Sequence, residues 1–348
     1  MTLRIATLLN YSGNPRDAAD EVAAWEKAGL DSVWVPEAYG FDSPTLMGYL
    51  AAKTETVKIG SGILNIFSRT PGALLQTAAG LDNVSGGRAI LGLGASGPQV
   101  IEGFHGVPYE KPLGRTREIV DIVRRGLRRE PLENDGIVKL PLTKEQGAVT
   151  GLGKPLKILT KPERSSIPIW IAALGRKNVE HTAEYADGWI PHLFHPEKAA
   201  DVWGESLAKG AAKRPEELGS LQVMAGGLLA IGEGEETRAA LDLARPTFAL
   251  YVGGMGAKGK NFYNDVARAY GYEEEAEKIQ DLYLSGKKKE AEALVPTEWL
   301  EAANLIGPAS YVKERLAAFE AAGVTDINVT PATADPTATI AQLKELIG

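Results

Sequence analysis

The chain has 348 residues, 44% hydrophobic and 24% charged, with no cysteine and a net charge of −7. This composition excludes disulfides, thiolate catalysis and zinc–sulfur sites, and it is that of a globular protein and not of a disordered one. It offers no basic face to nucleic acid: the one dense basic run, Lys287-Lys288-Lys289, leads straight into acidic helix-like sequence and reads as a solvated face.

Residues 3–11 alternate as a first strand and lack the basic and long apolar segments of a signal peptide. No apolar run is long enough to span a bilayer, so a cytoplasmic location is the expectation. Asn14 then caps a helix with Pro15 in its first position, where the missing N–H costs nothing. Ala18, Val22, Trp25 and Leu30 follow at helical spacing, and Gly29 supplies the stop. Ser32-Val33-Trp34-Val35-Pro36-Glu37 is a short apolar run with the pattern of a strand buried on both faces.

The alternation continues with a helix over 43–52, a strand over 57–64, a helix over 71–81, a strand over 88–93 and a helix over 116–128. An irregular stretch, 131–166, rich in Gly, Pro and Lys, interrupts it. A strand over 167–172, a helix to 186, and strands over 188–191 and 221–231 resume the rhythm. A long helical region, a strand over 326–330 and a helix capped at Asp335-Pro336 complete the chain.

Eight strand candidates, each followed by helix, imply a parallel sheet. The α/β arrangement expected is a (β/α)8 TIM barrel spanning 1–348 as one domain; an open doubly wound sheet is the competitor, and the count of eight favours closure. Two segments exceed an ordinary loop and are assigned as insertions after the fourth and the seventh strand: 131–166 and 253–307. Loops that follow strands build the catalytic face of a barrel, so both are candidate lids.

The run Gly92-Leu93-Gly94-Ala95-Ser96-Gly97 fits the dinucleotide fingerprint, but it follows the fourth strand and Pro98 comes directly after it. Its glycines would let backbone N–H groups approach a ligand at the C-terminal face. Pro98 also breaks the nucleophile elbow. His192 and His195 are spaced H-x-x-H, yet the first strand offers Asn10 and Tyr11 instead of metal ligands. No metal site is expected, and all four histidines read as surface or loop residues. Glu37, at the C-terminal end of a buried strand, is the candidate acid or base, or else one half of an ion pair closing that strand. Gly175, with Arg176 and Lys177 behind it, opens a helix whose free N–H groups suit a phosphate, or simply solvent.

Gly60-Ser61-Gly62-Ile63-Leu64-Asn65 with Arg69-Thr70-Pro71 resembles the third-strand segment of bacterial luciferase-like oxidoreductases. The 92–100 run, Gly103 and His105-Gly106 resemble methylenetetrahydromethanopterin reductases. Ala172-Ala173-Leu174-Gly175 and Ala186-Asp187-Gly188-Trp189 match the fifth and sixth units of the same group, and the similarity covers nearly the whole chain.

This resemblance implies coenzyme F420, a 5-deazaflavin, or FMN in other branches. It places the cofactor ring against a bulge at Gly62-Ile63, whose peptide bond is expected to be cis. Asn65, Ala95, Ser96 and Gly97 would surround the ring. Ala173, Leu174, Gly175 and Arg176 would hold the phosphate end. Where F420-dependent sugar-phosphate and alcohol dehydrogenases carry an acid–His pair, this chain has Glu37-Ala38, which points away from those substrates. The expected function is hydride transfer between the deazaflavin C5 and a small organic substrate, by a homodimer or larger assembly. An FMN-dependent monooxygenase and a cofactor-binding protein without turnover are the alternatives.

Overall fold

The computed structural model describes residues 3–10 and 13–348. Eight parallel strands form its centre: β1 (Arg4–Leu8), β2 (Ser32–Val35), β3 (Lys58–Ser61), β4 (Ala89–Gly94), β5 (Ile169–Ala172), β6 (Gly188–Ile190), β7 (Gln222–Ile231) and β8 (Asp326–Pro331). Each pairs in parallel with the next, and β8 returns to β1 through Asp326↔Arg4, Ile327↔Ile5 and Asn328↔Ala6. The sheet is therefore a closed (β/α)8 barrel, not the open alternative. Tyr11, expected at the end of the first strand, lies outside the described residues.

Closure is explained by what fills the interior. Trp34 and Trp170 face inward with Ala6, Ile90 and Met224, their rings 5.1 Å apart. Two indoles in so narrow a barrel leave no room for side chains beside them. A Cβ at Gly60 would lie 2.5 Å from the Trp34 ring, and one at Gly188 only 2.0 Å from Trp170. Large and small residues thus complement each other between adjacent strands, Gly60 beside Trp34 and Gly188 beside Trp170.

The outward side chains, among them Ile5, Val33, Ile59, Leu91, Ile169 and Ile171, are buried beneath the surrounding helices. These helices begin as the sequence indicates. In α1 (Pro15–Lys27) the Asn14 side chain accepts from the Arg16 N–H, and Gly29 follows the helix at φ 107°. Asp42 and Thr70 cap α2 (Ser43–Lys53) and α3 (Pro71–Val84) in the same way. Next come α4 (Pro112–Leu127), α5 (Arg176–Tyr185), α6 (Ala199–Ala211), α7 (Ala309–Ala321) and α8 (Pro336–Ile347), the last capped by Asp335.

The two long segments separate in role. The 131–166 stretch follows α4 instead of β4, so it does not join the C-terminal face, and the expectation of a lid there is corrected. Its short hairpin, Asn134–Asp135 with Lys139–Leu140, is held on the outside of α4 by Glu118, which accepts from the N–H groups of Ile137 (2.9 Å) and Val138 (2.8 Å) and from Asn134 Nδ2. Burial pushes the Glu118 carboxyl up, but the Val138, Ile137 and Asn134 donors outweigh it and hold the pKa below its ordinary value. The segment's end is fastened at the opposite face of the barrel: Arg164 grips the buried Asp82 of α3 and the Ala89 carbonyl at the start of β4.

The second segment does cover the C-terminal face. It is a set of short helices over 235–303, beginning earlier than the sequence suggests, and Leu305–Gly307 then pairs with the end of β7.

Candidate active site

At the end of β3 the chain bulges. Gly62 N–H donates to the Val35 carbonyl, the Gly62–Ile63 peptide bond is cis, and Leu64–Asn65 rejoins the barrel beside β4. Gly62 stands where a Cβ would meet Leu8 Cδ1 at 2.6 Å. The Ile63 side chain lies against Gly94, where a Cβ would approach it to 2.9 Å and Ala172 to 3.5 Å. Ile63, Gly94 and Ala172 thus form one contiguous surface across the ends of β3, β4 and β5.

The glycines of the 92–97 run divide their work. Gly92 is a packing residue: its Cβ would fall 1.8 Å from the Ser61 carbonyl oxygen, while its N–H donates to the Ser61 hydroxyl. Gly94 admits Ile63. Of the three, only Gly97 has no neighbour within 4 Å among the described residues, so close approach to a ligand applies there and not to all three positions. Ser96 takes a left-handed backbone, φ 56°, and its carbonyl accepts from the Tyr109 hydroxyl at 3.1 Å. Burial pushes the Tyr109 phenol up, so it stays a protonated donor.

Asn65 is buried and organises the loop beyond it. Its Oδ1 accepts from the N–H groups of Phe67 and Ser68, and its Nδ2 lies 3.3 Å from His105 Nε2. The second sequence segment therefore delivers a histidine to this face as well as its glycines.

On β5 the backbone is pinned from outside. Trp189 Nε1 donates to the Ala173 carbonyl at 2.9 Å and Trp203 Nε1 to the Leu174 carbonyl at 2.7 Å. Gly175 then starts α5 with no side-chain cap, which leaves first-turn N–H groups for a ligand or solvent. A Cβ at Gly175 would touch only the Phe262 ring, at 3.7 Å. Arg176 and Lys177 are exposed beside this helix start, and Lys177 pairs with Glu180.

Glu37 sits at the end of β2 with both oxygens occupied: Arg69 Nη2 donates to Oε1 at 2.6 Å and Nη1 to Oε2 at 2.8 Å. Their side chains are 12% and 18% exposed, so this is a largely desolvated bidentate pair. Of the readings given for Glu37, the ion pair is the one the structure shows. A cavity of about 390 Å³ lies beside it, between the ends of β1 and β2, with Leu9, Val35, Phe41, Leu46 and Tyr49 in its wall. None of the other expected site residues lines it. Exposed aromatics, Tyr39 (66%), Phe41 (74%) and Phe104 (64%), mark this side of the face.

The histidines depart most from expectation. His195 is buried, with Nδ1 3.1 Å from Glu197, and does not converge with His192. His192 follows β6 and packs against Tyr251 and Tyr263 of the 235–303 segment. The available signal was its position two residues beyond Ile190. Arg69 stood in the recognised third-strand run, but nothing in sequence spacing paired it with Glu37.

The sequence profile of the luciferase-like monooxygenase family matches residues 2–326. The chain is 40% identical to the provisionally named coenzyme F420-dependent oxidoreductase Rv3520c of Mycobacterium tuberculosis, over 98% of this chain and 99% of that one. Its structure is similar to that of the coenzyme F420-dependent tetrahydromethanopterin reductase of Methanopyrus kandleri, with a TM-score of 0.78 at 22% identity, covering 99% and 97% of the two chains. It also resembles an FMN complex of a Pseudomonas putida type II Baeyer–Villiger monooxygenase, with a TM-score of 0.65 at 15% identity, covering 99% and 97%.

Proposed function

The chain belongs to the luciferase-like monooxygenase family, and we propose that it is a coenzyme F420-dependent oxidoreductase passing a hydride between the cofactor and a small organic molecule. The observation that supports this best is the continuous arc from the Gly62–Ile63 bulge across Gly94 and Ser96-Gly97 to the uncapped start of α5. It suits a flat ring joined to a phosphate. A bound 5-deazaflavin supplies two-electron hydride chemistry and little one-electron chemistry, so the protein's share is position and electrostatics.

Ile63, supported by Gly94 and Ala172, would carry one face of the ring. Asn65, Ala95, Ser96 and Gly97 would border it. Ala173 and Leu174, their carbonyls turned to the indoles, would present the backbone leading to Gly175, where helix N–H groups and Arg176 would hold the phosphate. Glu37 would act through Arg69, fixing the rim at the end of β2.

Titration of the apoprotein with F420 and with FMN tests this reading. F420 is expected to bind more tightly, and the reduced F420 complex to lose its hydride to an unsaturated or iminium-type acceptor. Micromolar FMN binding with no detectable F420 binding would refute the cofactor assignment.

A further inference from the structure

The side chains of β6 alternate across the barrel wall. Trp189 points outward to the Ala173 carbonyl, while Ile190 packs against the inner cluster of Trp34 and Trp170. His192 lies two residues further on, in the bend that follows β6 at the C-terminal face, and the left-handed Leu193 (φ 54°) comes directly after it. Two rings from the 235–303 segment close over the imidazole: Tyr251 at 4.1 Å between centroids and Tyr263, edge-on, at 5.7 Å.

Beneath them His192 Nε2 is sealed from solvent and has no hydrogen-bond partner among the described residues. A buried polar atom is almost always paired, so one left unpaired at the functional end of a barrel calls for a partner that comes and goes. Tyr251 lies in a single π-helical turn, Leu250–Gly254, an irregularity that recurs at functional sites.

We infer that His192 is a ligand-contact residue: its Nε2 is held for an oxygen of the molecule bound at this face, and Tyr251 and Tyr263 are the cover that moves when it binds. The inference rests on the function proposed above. Burial also pushes the His192 pKa down to about 4, so the imidazole meets that oxygen as a neutral hydrogen-bonding group. β6 adjoins β5, which carries the chain to the phosphate end of the arc. An oxygen of the cofactor and a carbonyl oxygen of the substrate present the same chemistry to Nε2.

Nitrogen-15 NMR of the imidazoles distinguishes the two, because the chain has only four histidines. Oxidised F420 is added first and cyclohex-2-en-1-one second, as a carbonyl probe. A His192 resonance that moves with F420 alone identifies a cofactor oxygen. His192→Phe, which removes the hydrogen-bonding nitrogen, should then weaken F420 binding about tenfold, with His192→Gln staying within about threefold of wild type. A resonance that moves only when the probe joins the complex, with F420 affinity unchanged in His192→Phe, identifies a substrate oxygen. A resonance unmoved in both arms, with F420 demonstrably bound by its absorbance, overturns the inference and leaves the proposed function standing. A wild-type protein that binds no F420 overturns both. The NMR arms need only the wild-type protein, so a variant that fails to fold does not blunt the test.

Discussion

Gly175→Asp should move stability and cofactor affinity in opposite directions. Gly175 is the N-cap of α5, with φ −64° and ψ 135°, a conformation open to any residue, and a Cβ there meets only Phe262 at ordinary contact distance. The substitution is therefore sterically mild. An aspartate in this position accepts from the first-turn N–H groups and faces the positive end of the helix, adding a few tenths of a kcal/mol to stability. The same carboxylate stands where the cofactor phosphate is expected. Two unit charges about 5 Å apart repel by roughly 3 kcal/mol at an effective dielectric of 20, and salt and solvent reduce this to about 1–2 kcal/mol. The expected loss of affinity is about fivefold to thirtyfold. Calorimetric titration with F420, alongside thermal melts, reads both quantities. Gly175→Asn caps without charge and Gly175→Ala does neither, so their affinities should fall between those of Gly175→Asp and wild type. A Gly175→Asp protein that binds F420 like wild type would refute the placement of the phosphate at α5.

Arg164→Met should cost about 2–4 kcal/mol in urea unfolding, because it strands the fully buried Asp82 carboxylate; the partial exposure of Arg164 keeps the loss below the largest values for buried pairs. F420 affinity should be unchanged in this variant, and a selective loss of affinity would restore the lid reading of 131–166. Gly188→Ala drives a methyl group into the Trp170 ring and should destabilise the barrel by about 1–3 kcal/mol, measured in the same way. The folded-state pKa of His192, about 4, lies below the roughly 6.5 of an unfolded histidine, so its contribution is complete above pH 6.5 and is lost as pH falls toward 4. The difference between wild type and His192→Gln in urea stability should shift by up to about 2–3 kcal/mol across that window. A difference independent of pH would show that the imidazole is not held neutral.

Strand and helix positions were legible wherever local chemistry decides them. Asn14-Pro15 and Asp335-Pro336 start their helices by side-chain capping as read, Asp42 and Thr70 cap two helices the sequence placed without naming their caps, and the apolar run at 32–35 is buried on both faces as its composition implies. The recognised third-strand run also located the bulge at Gly62–Ile63. The glycine-rich run was half legible. Its sequence shows that side chains are excluded at 92 and 94, but not that the excluding groups are the Ser61 carbonyl and Ile63, which come from another strand.

Sequence by itself determined the periodicity, the caps and the count of eight units, because each follows from the residues immediately around it. Tertiary structure alone decided which polar groups meet. Glu37 is spent on Arg69, 32 residues away, and Asp82 on Arg164, 82 residues away, contacts that no local spacing encodes. It also laid the hairpin of 131–166 on the outside of α4, through Glu118 accepting from the Ile137 and Val138 N–H groups 19 and 20 residues on, although the order of helix and segment was legible. His192 was undervalued for the same reason. Its environment is made by Tyr251 and Tyr263, rings that reach it only when the 235–303 segment folds back over the barrel.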